Sequence, residues 1–375
     1  MNRVHRTVAA TAAAFALIAS APVATASERD FGHESVQQNL QQKLDEVVGA
    51  GAVGALAEVR DGHAAWRGSS GTAERGKPRK VPVRGRFRIG SVTKTFVATV
   101  VLQLAAERRL GLDDTVEQWL PDTVPDGKHI TLRHLLNHTS GLYDFQDTLT
   151  MPPNPAFLDY RWRTWEPGEM VQAAVANPPT FEPPGSAYAY SNTGYLLLGQ
   201  IIEQATGRSY AEQIEHRIIR PLRLHDTSLP GTYPRIRGPH PHGYLPVQHG
   251  ENLRYVDFTE MNPTLFGAGG EIISSTKDLN RFFGALLDGR LLPGRLLDEM
   301  KTPGVEDSSY GLGLAWIDTT CGVRVYGNDG DAVAYQAWSF STEDGSRQAT
   351  VALTPERPAD PEETVDELLD DAFCD

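Results

Sequence analysis

Ser91 and Lys94 stand three residues apart in Ser91-Val92-Thr93-Lys94, at the start of a segment whose Phe96, Val97, Val100, Val101, Leu104 and Ala105 share one helical face. Residues spaced by three on a first helical turn project from the same side. A serine hydroxyl is a poor nucleophile until a neighbour takes its proton, and a lysine with a depressed pKa can be that neighbour. Amides at the helix start favour negative charge developing there. The pair is thus a candidate for covalent acyl transfer. A second copy, Ser274 with Lys277, carries less weight, because Ser275 and Asp278 fit a helix capping box.

Tyr190-Ser191-Asn192 lies in a loop after Pro183-Pro184-Gly185 and before a predicted helix over 193–206 that Gly207 ends. A phenol beside an ammonium can shuttle a proton, and an asparagine amide can hold a substrate carbonyl. A packed loop tyrosine with Asn192 as a helix cap is the structural alternative. His134 and His138 stand four apart on a short predicted helix over 131–137, as zinc ligands can, but no His-Glu-x-x-His and no third ligand accompany them. A helix-end role on last-turn carbonyls is expected instead. His240 and His242 fall in a Pro-rich loop where exposure is the default. Tyr160, Trp162 and Trp165 fit either an aromatic wall over a cleft or the core.

The elements that must position these residues sit at both ends of the chain. A helix is predicted over 36–48, then strands over 52–60 and 63–68 around an Asp61-Gly62 hairpin turn. Further short strands are predicted over 310–317, 323–326, 335–340 and 348–353. A last helix over 362–373 carries Val365, Leu368, Leu369 and Ala372 on one face. The middle, from Ser91 to about Arg220, reads as mainly helical, and Gly111 is the expected end of the helix that begins near Ser91. The fold class is α+β: an antiparallel sheet built from both chain ends (about 35–100 and 255–375), flanked by helices, with a helical insertion at about 101–254.

Composition narrows the function. The 375 residues, 40% hydrophobic and 22% charged, suffice for a large core. Lys+Arg is 35 against Asp+Glu 48, a net charge of −13, so no nucleic-acid partner is expected. Arg3 and Arg6, an apolar run over 8–19 and Ala24-Thr25-Ala26 read as a cleavable leader over 1–26, leaving 27–375 as an exported domain. The apolar run is too short to span a bilayer, and no other stretch approaches that length, so no integral membrane span is expected. In an oxidising compartment Cys321 and Cys374 are read as a disulfide, worth about 4 kcal/mol by loop entropy, or else as two buried thiols.

With these features assembled, the chain resembles the penicillin-recognising serine hydrolases, in particular secreted D-alanyl-D-alanine carboxypeptidases and class C β-lactamases. The resemblance covers nearly all of 27–375. It rests on Phe87-Arg88-Ile89-Gly90-Ser91-Val92-Thr93-Lys94, Leu135-Leu136-Asn137-His138-Thr139-Ser140-Gly141-Leu142, Ala189-Tyr190-Ser191-Asn192, Gly267-Ala268-Gly269-Gly270 and Tyr310-Gly311-Leu312-Gly313-Leu314, in matching order and spacing. It implies a β-lactamase/transpeptidase-like fold, with Ser91 as the acylated nucleophile and Lys94 and Tyr190 sharing acid/base work. Asn192 would contact the substrate amide, and the backbone amides of Ser91 and of a residue near Asp331 would form an oxyanion hole. Neither metal nor organic cofactor is implied. Cys321 and Cys374 look like the disulfide of carboxypeptidase members.

The chain departs from the family where a substrate carboxylate would bind. The third motif is His or Lys, a small residue, then Gly; here Gly327 is followed by Asn328-Asp329-Gly330-Asp331, the expected substrate-lining strand. Carboxypeptidase members carry an Arg after Gly-Leu-Gly-Leu; here Ala315 and Trp316 follow. A charge-assisted pair to a carboxylate contributes about 1.5–3 kcal/mol. Losing two should disfavour free peptidyl-D-Ala-D-Ala and penicillins, and Asp329 or Asp331 should repel them. The two acids are also expected to raise the pKa of Lys94, and Asp331 to oppose oxyanion charge. The leading expectation is a D-Ala-D-Ala carboxypeptidase-like peptidase with altered recognition. An esterase or amidase of the same fold is the first alternative, and a catalytically impaired protein that binds cell-wall peptide or a protein partner is the second. The expected partner is a small peptide, ester or amide, or cell-wall peptide, met by a monomer.

Overall fold

The computed structural model describes residues 34–374, so the expected leader at 1–26 lies outside the described residues. In chain order the strands are β1 (Ala52–Asp61), β2 (Ala64–Gly71), β3 (Phe87–Arg88), β4 (Tyr244–His249), β5 (Asn252–Asp257), β6 (Ile273–Ser274), β7 (Ala315–Asp318), β8 (Arg324–Asp331), β9 (Gln336–Thr342) and β10 (Arg347–Pro355). Five helices organise them: α1 (Glu34–Gly49), α2 (Thr93–Ala106), α3 (Asn192–Thr206), α4 (Thr276–Leu287) and α5 (Glu362–Cys374).

The main sheet runs β2-β1-β10-β9-β8-β7, and every neighbouring pair is antiparallel. The amino-terminal hairpin therefore joins the carboxy-terminal meander through β1 and β10, with Leu56 opposite Ala352. This is the expected α+β architecture. Side chains alternate across a strand, and β1 is buried along both faces. Ala55, Ala57 and Val59 pack with Leu40, Leu44 and Val47 of α1 and with Val365, Leu368 and Leu369 of α5. Each such aliphatic side chain contributes roughly 1.5–3 kcal/mol on full burial. Leu56 and Glu58 face the other way. Glu58 is fully buried, and Arg67 grips its carboxylate with two hydrogen bonds at 2.8 and 2.9 Å. Cys321 and Cys374 are bonded, which ties the turn between β7 and β8 to the end of α5.

On the opposite face lie α4 and α2, where the rings of Phe96 and Phe282 stack 3.7 Å apart. Apart from Gln103, Ala105 and Ala106, every α2 residue is buried, because the helix runs between the sheet and the helical region. That position dictates the environment of Lys94.

Two local expectations need correction, one hairpin is new, and of the two readings of the aromatic group Trp165 takes the core. Helix α2 ends at Ala106, before Gly111; Arg108, with φ +57, takes the left-handed conformation after the last turn. Strand β7 begins at Ala315 rather than 310, because Tyr310–Leu314 folds back on itself with Gly311 N–H on the Leu314 carbonyl. The hairpin β4–β5 was not anticipated, and its Asp257 accepts from His242 Nδ1 at 2.7 Å. Trp165 is buried against Tyr160, whereas Trp162 is 56% exposed, and neither forms a wall on the cleft described below. Among the described residues no helix is long and apolar enough to cross a membrane.

Candidate active site

Ser91 sits in a single 3-10 turn (Gly90–Val92) that leads directly into α2. The turn is pressed against β8, and two glycines make that approach possible. Gly90 has φ +51, and a Cβ there would lie 2.6 Å from the Asp331 carbonyl. A Cβ at Gly330 would lie 2.1 Å from Ile89 O and 2.7 Å from Ser91 N. Only glycine at both positions lets the backbone of Ser91 meet the backbone of 330–331. The third motif thus keeps the glycine that packs against the Ser91 turn while losing its cation.

Lys94 enters the site from below, wholly buried. Its Nζ has three hydrogen-bond partners: Ser91 Oγ at 2.9 Å, Asn192 Oδ1 at 2.7 Å and the Gly269 carbonyl at 2.8 Å. Tyr190 OH donates to Ser91 Oγ at 2.6 Å from the other side. The structure therefore brings Ser91, Lys94, Tyr190 and Asn192 into one hydrogen-bonded group, although the first and last are a hundred residues apart in the chain. Asn192, first residue of α3, also donates through Nδ2 to Asp144 Oδ2 at 2.7 Å. Its amide is held at both ends by protein groups.

The electrostatics depart from expectation at Lys94. Burial pushes its pKa down to about 7, and Asp144 and Asp329 only partly offset this. Desolvation outweighs the two acids because the ammonium is out of reach of water while neither carboxylate bonds to it. Burial also holds the Tyr190 phenol well above its ordinary value, so it stays protonated. His138 is fully buried under the Tyr190 ring, 4.2 Å between centroids, and accepts from Ser191 N at 3.2 Å. Burial, then the Lys94 charge, keeps it neutral. His134 caps the start of its helix, with Nδ1 accepting from Thr131 N, rather than its end. The pair is neither a helix-end cap nor a metal site; among the described residues no cluster of His, Cys, Asp or Glu could hold a metal ion.

The strand Asn328-Asp329-Gly330-Asp331 divides into separate roles. Asn328 is buried, and its Nδ2 donates to Thr95 Oγ1 at 3.2 Å and to Tyr310 OH at 3.4 Å. Asp331 accepts from Val333 N at 2.6 Å and pairs with Arg357, so its charge is compensated away from Ser91. Asp329 remains, facing a cavity of about 370 Å³ that Ser91, Tyr190, Asn192, Tyr188 and Tyr310 also line. A smaller lobe of about 240 Å³, mainly apolar with Leu149, Met151, Phe157 and Leu245 but edged by the Asp331–Arg357 pair, adjoins it through Gln146, Phe266 and Asp331. Sequence reasoning missed Asp144, Gln146 and Tyr188. Asp144 stands two residues past the Gly141-Leu142 end of a quoted motif, the only signal that pointed to it.

The second serine–lysine copy is a cap, as expected: Ser275 Oγ accepts from Asp278 N, and Ser274 bonds Thr227 in the interior.

Comparison with known proteins fixes the family. The chain matches the protein family described as Beta-lactamase over residues 36–371. It belongs to that family of serine hydrolases. It is similar to a D-stereospecific amidohydrolase from Streptomyces sp., with 38% identity and a TM-score of 0.81 over 90% of this chain and 98% of that one. A D-amino acid amidase from Ochrobactrum anthropi SV3 gives 27% identity and a TM-score of 0.78 over 90% and 98%. Esterase EstB of Burkholderia gladioli is 30% identical over 71% of this chain and 74% of its own. A penicillin-binding protein of Bacillus subtilis (strain 168) is 32% identical over 62% of this chain, which spans about half (52%) of that relative's length.

Proposed function

We propose that this protein hydrolyses amides or esters that lack a terminal carboxylate, through an acyl-enzyme on Ser91. The observation that carries this reading is the convergence on Ser91 Oγ of Lys94 Nζ, at 2.9 Å, and Tyr190 OH, at 2.6 Å. With its pKa near 7, Lys94 is available as a neutral amine, whereas Tyr190 keeps its proton. The base is therefore Lys94. As Oγ attacks the scissile carbonyl, its proton passes to Nζ, and the oxyanion faces the backbone amides of Ser91 and Asp331. Tyr190 OH then protonates the leaving nitrogen or oxygen and recovers a proton from Lys94. Water attacks the acyl-enzyme by the same steps in reverse and releases the acid.

Substrate choice follows from the departures. Asn328 is committed to Thr95 and Tyr310, Ala315 offers no charge, and Asp329 faces the cleft. The nearby Arg357 is taken by Asp331, so no unpaired cation lines the cleft among the described residues to receive a carboxylate. The similar proteins named as a D-stereospecific amidohydrolase, a D-amino acid amidase and an esterase support amides or esters of D-amino acids over a D-Ala-D-Ala peptide. An impaired binding protein would be favoured by a carboxylate bonded to Lys94; its partners are instead Ser91, Asn192 and Gly269, which favours an enzyme. The leader read at 1–26 supports action outside the cell. Incubation of the purified protein with D-phenylalanine amide and with benzylpenicillin tests this choice. Turnover of the amide without stable acylation by penicillin is expected; rapid acylation by penicillin would reverse the assignment.

A further inference from the structure

The fate of the two acids on β8 is unequal. Asp331 is neutralised by Arg357. Asp329 has no ion pair among the described residues; burial raises its carboxyl above the ordinary range, and the charge of Lys94, whose three hydrogen-bond partners are Ser91, Asn192 and Gly269, pulls the other way. Its own backbone N–H is occupied by Asn328 Oδ1 at 3.1 Å. An uncompensated carboxylate thus stands in the cavity that holds the nucleophile.

The walls around it are aromatic. Tyr188, Tyr190 and Tyr310 line the same cavity, with Tyr188 and Tyr310 6.2 Å apart between ring centroids. Burial lifts the phenol of Tyr188 to about 12 and that of Tyr310 higher still, so both rings are neutral and present electron-rich faces. Such faces attract organic cations, most strongly where water is partly excluded. A carboxylate and tyrosine rings lining one cavity have the chemistry of an ammonium-binding pocket.

We propose that Asp329, with Tyr188 and Tyr310, forms a subsite for a positively charged amine of the substrate. The inference rests on the hydrolase reading for its role in turnover, but the subsite itself exists whether or not Ser91 reacts. It makes the preferred substrate an amide or ester bearing an unblocked amino group close to the scissile carbonyl, and it converts the family's carboxylate-binding position into one for the opposite charge.

The test is direct binding, measured by calorimetry or NMR titration, of phenethylammonium and of its neutral isostere 2-phenylethanol. Wild type, Ser91→Ala, Asp329→Asn and Asp329→Thr are compared, with folding of each checked by its near-UV spectrum. Wild type and Ser91→Ala should bind the cation about tenfold or more tighter than the alcohol, with added salt narrowing the gap. Both Asp329 variants should lose that preference while keeping the affinity for the alcohol. Equal affinities in wild type, no measurable binding of the cation, or a preference that survives in both variants would overturn the proposal. Because Ser91→Ala cannot be acylated, its titration reads the subsite alone, and failure of Ser91 to react with an acylating probe would count only against the hydrolase reading.

Discussion

Lys94 Nζ lies 2.9 Å from Ser91 Oγ at the bottom of the cleft, in a side chain with no exposed surface. A lysine in that position cannot be both charged and comfortable. Burial lowers its pKa from 10.5 to about 7, against the opposing pull of Asp144 and Asp329.

The first prediction concerns pH. The neutral amine accepts the Ser91 proton, so the acylation rate should rise as pH increases through about 7 and then level off. Between about 7 and 10.5 the unfolded chain holds a proton on this lysine that the folded chain has released, so Lys94 makes stability rise with pH across that window. Lys94→Arg, which cannot deprotonate, should lower the acylation rate by about a hundredfold or more at every pH. Stopped-flow acylation with a chromogenic ester reads both. A flat profile through neutrality contradicts the assignment of the base.

Asp144 acts on Lys94 through Asn192, whose Nδ2 it holds at 2.7 Å. Its negative charge also raises the pKa of Lys94. Asp144→Asn should therefore shift the rising limb of the pH–acylation profile to lower pH, alongside a lower plateau from the loosened amide. A purely structural role would lower the plateau without moving the limb.

Gly90 and Gly330 allow the Ser91 turn to lie against β8. Gly90→Ala sets a Cβ 2.6 Å from the Asp331 backbone at φ +51, and neither atom can move without shifting strand or turn. A loss of about 1–3 kcal/mol in stability is expected, with a drop in acylation of about a hundredfold or more from the displaced amides. Denaturant unfolding and ester acylation measure the two effects separately. Unchanged acylation in a folded Gly90→Ala protein would remove the backbone of 330–331 from the mechanism.

The bond between Cys321 and Cys374 closes a separation of 53 residues and anchors α5, whose Val365, Leu368 and Leu369 cover the sheet. Cys321→Ser with Cys374→Ser should lower stability by about 2–4 kcal/mol. The cleft lies on the other side of the sheet's core, so the esterase rate of the folded variant should stay within about twofold of wild type. Calorimetric unfolding with and without reductant checks the first statement.

Much of this arrangement was legible in the residues. The strands at both ends are marked by turn signals such as Asp61-Gly62, and α5 shows its buried stripe as Val365, Leu368, Leu369 and Ala372. Ser91 could be told from the second serine–lysine copy because Ser275 announces a cap there. What stayed hidden depends on contacts made across long stretches of chain. Asp144 lies in an irregular segment and gains its meaning from Asn192, 48 residues away, which no local period marks. Two acids near Lys94 suggested a raised pKa; the opposite sign comes from burial inside α2, a property of packing that charge counting misses. Asp329 and Asp331 look alike in sequence, and only the position of Arg357 separates them. The β4–β5 hairpin escaped notice because its strands are short and mixed, with Pro246 inside the first.

The most direct measurement is intact-protein mass spectrometry after exposure to a fluorophosphonate, comparing wild type with Ser91→Ala. One adduct per chain on wild type, mapped to the peptide containing Ser91 and absent from Ser91→Ala, is the predicted result. No adduct on folded wild-type protein, or equal labelling of the Ser91→Ala variant, would contradict Ser91 as the nucleophile.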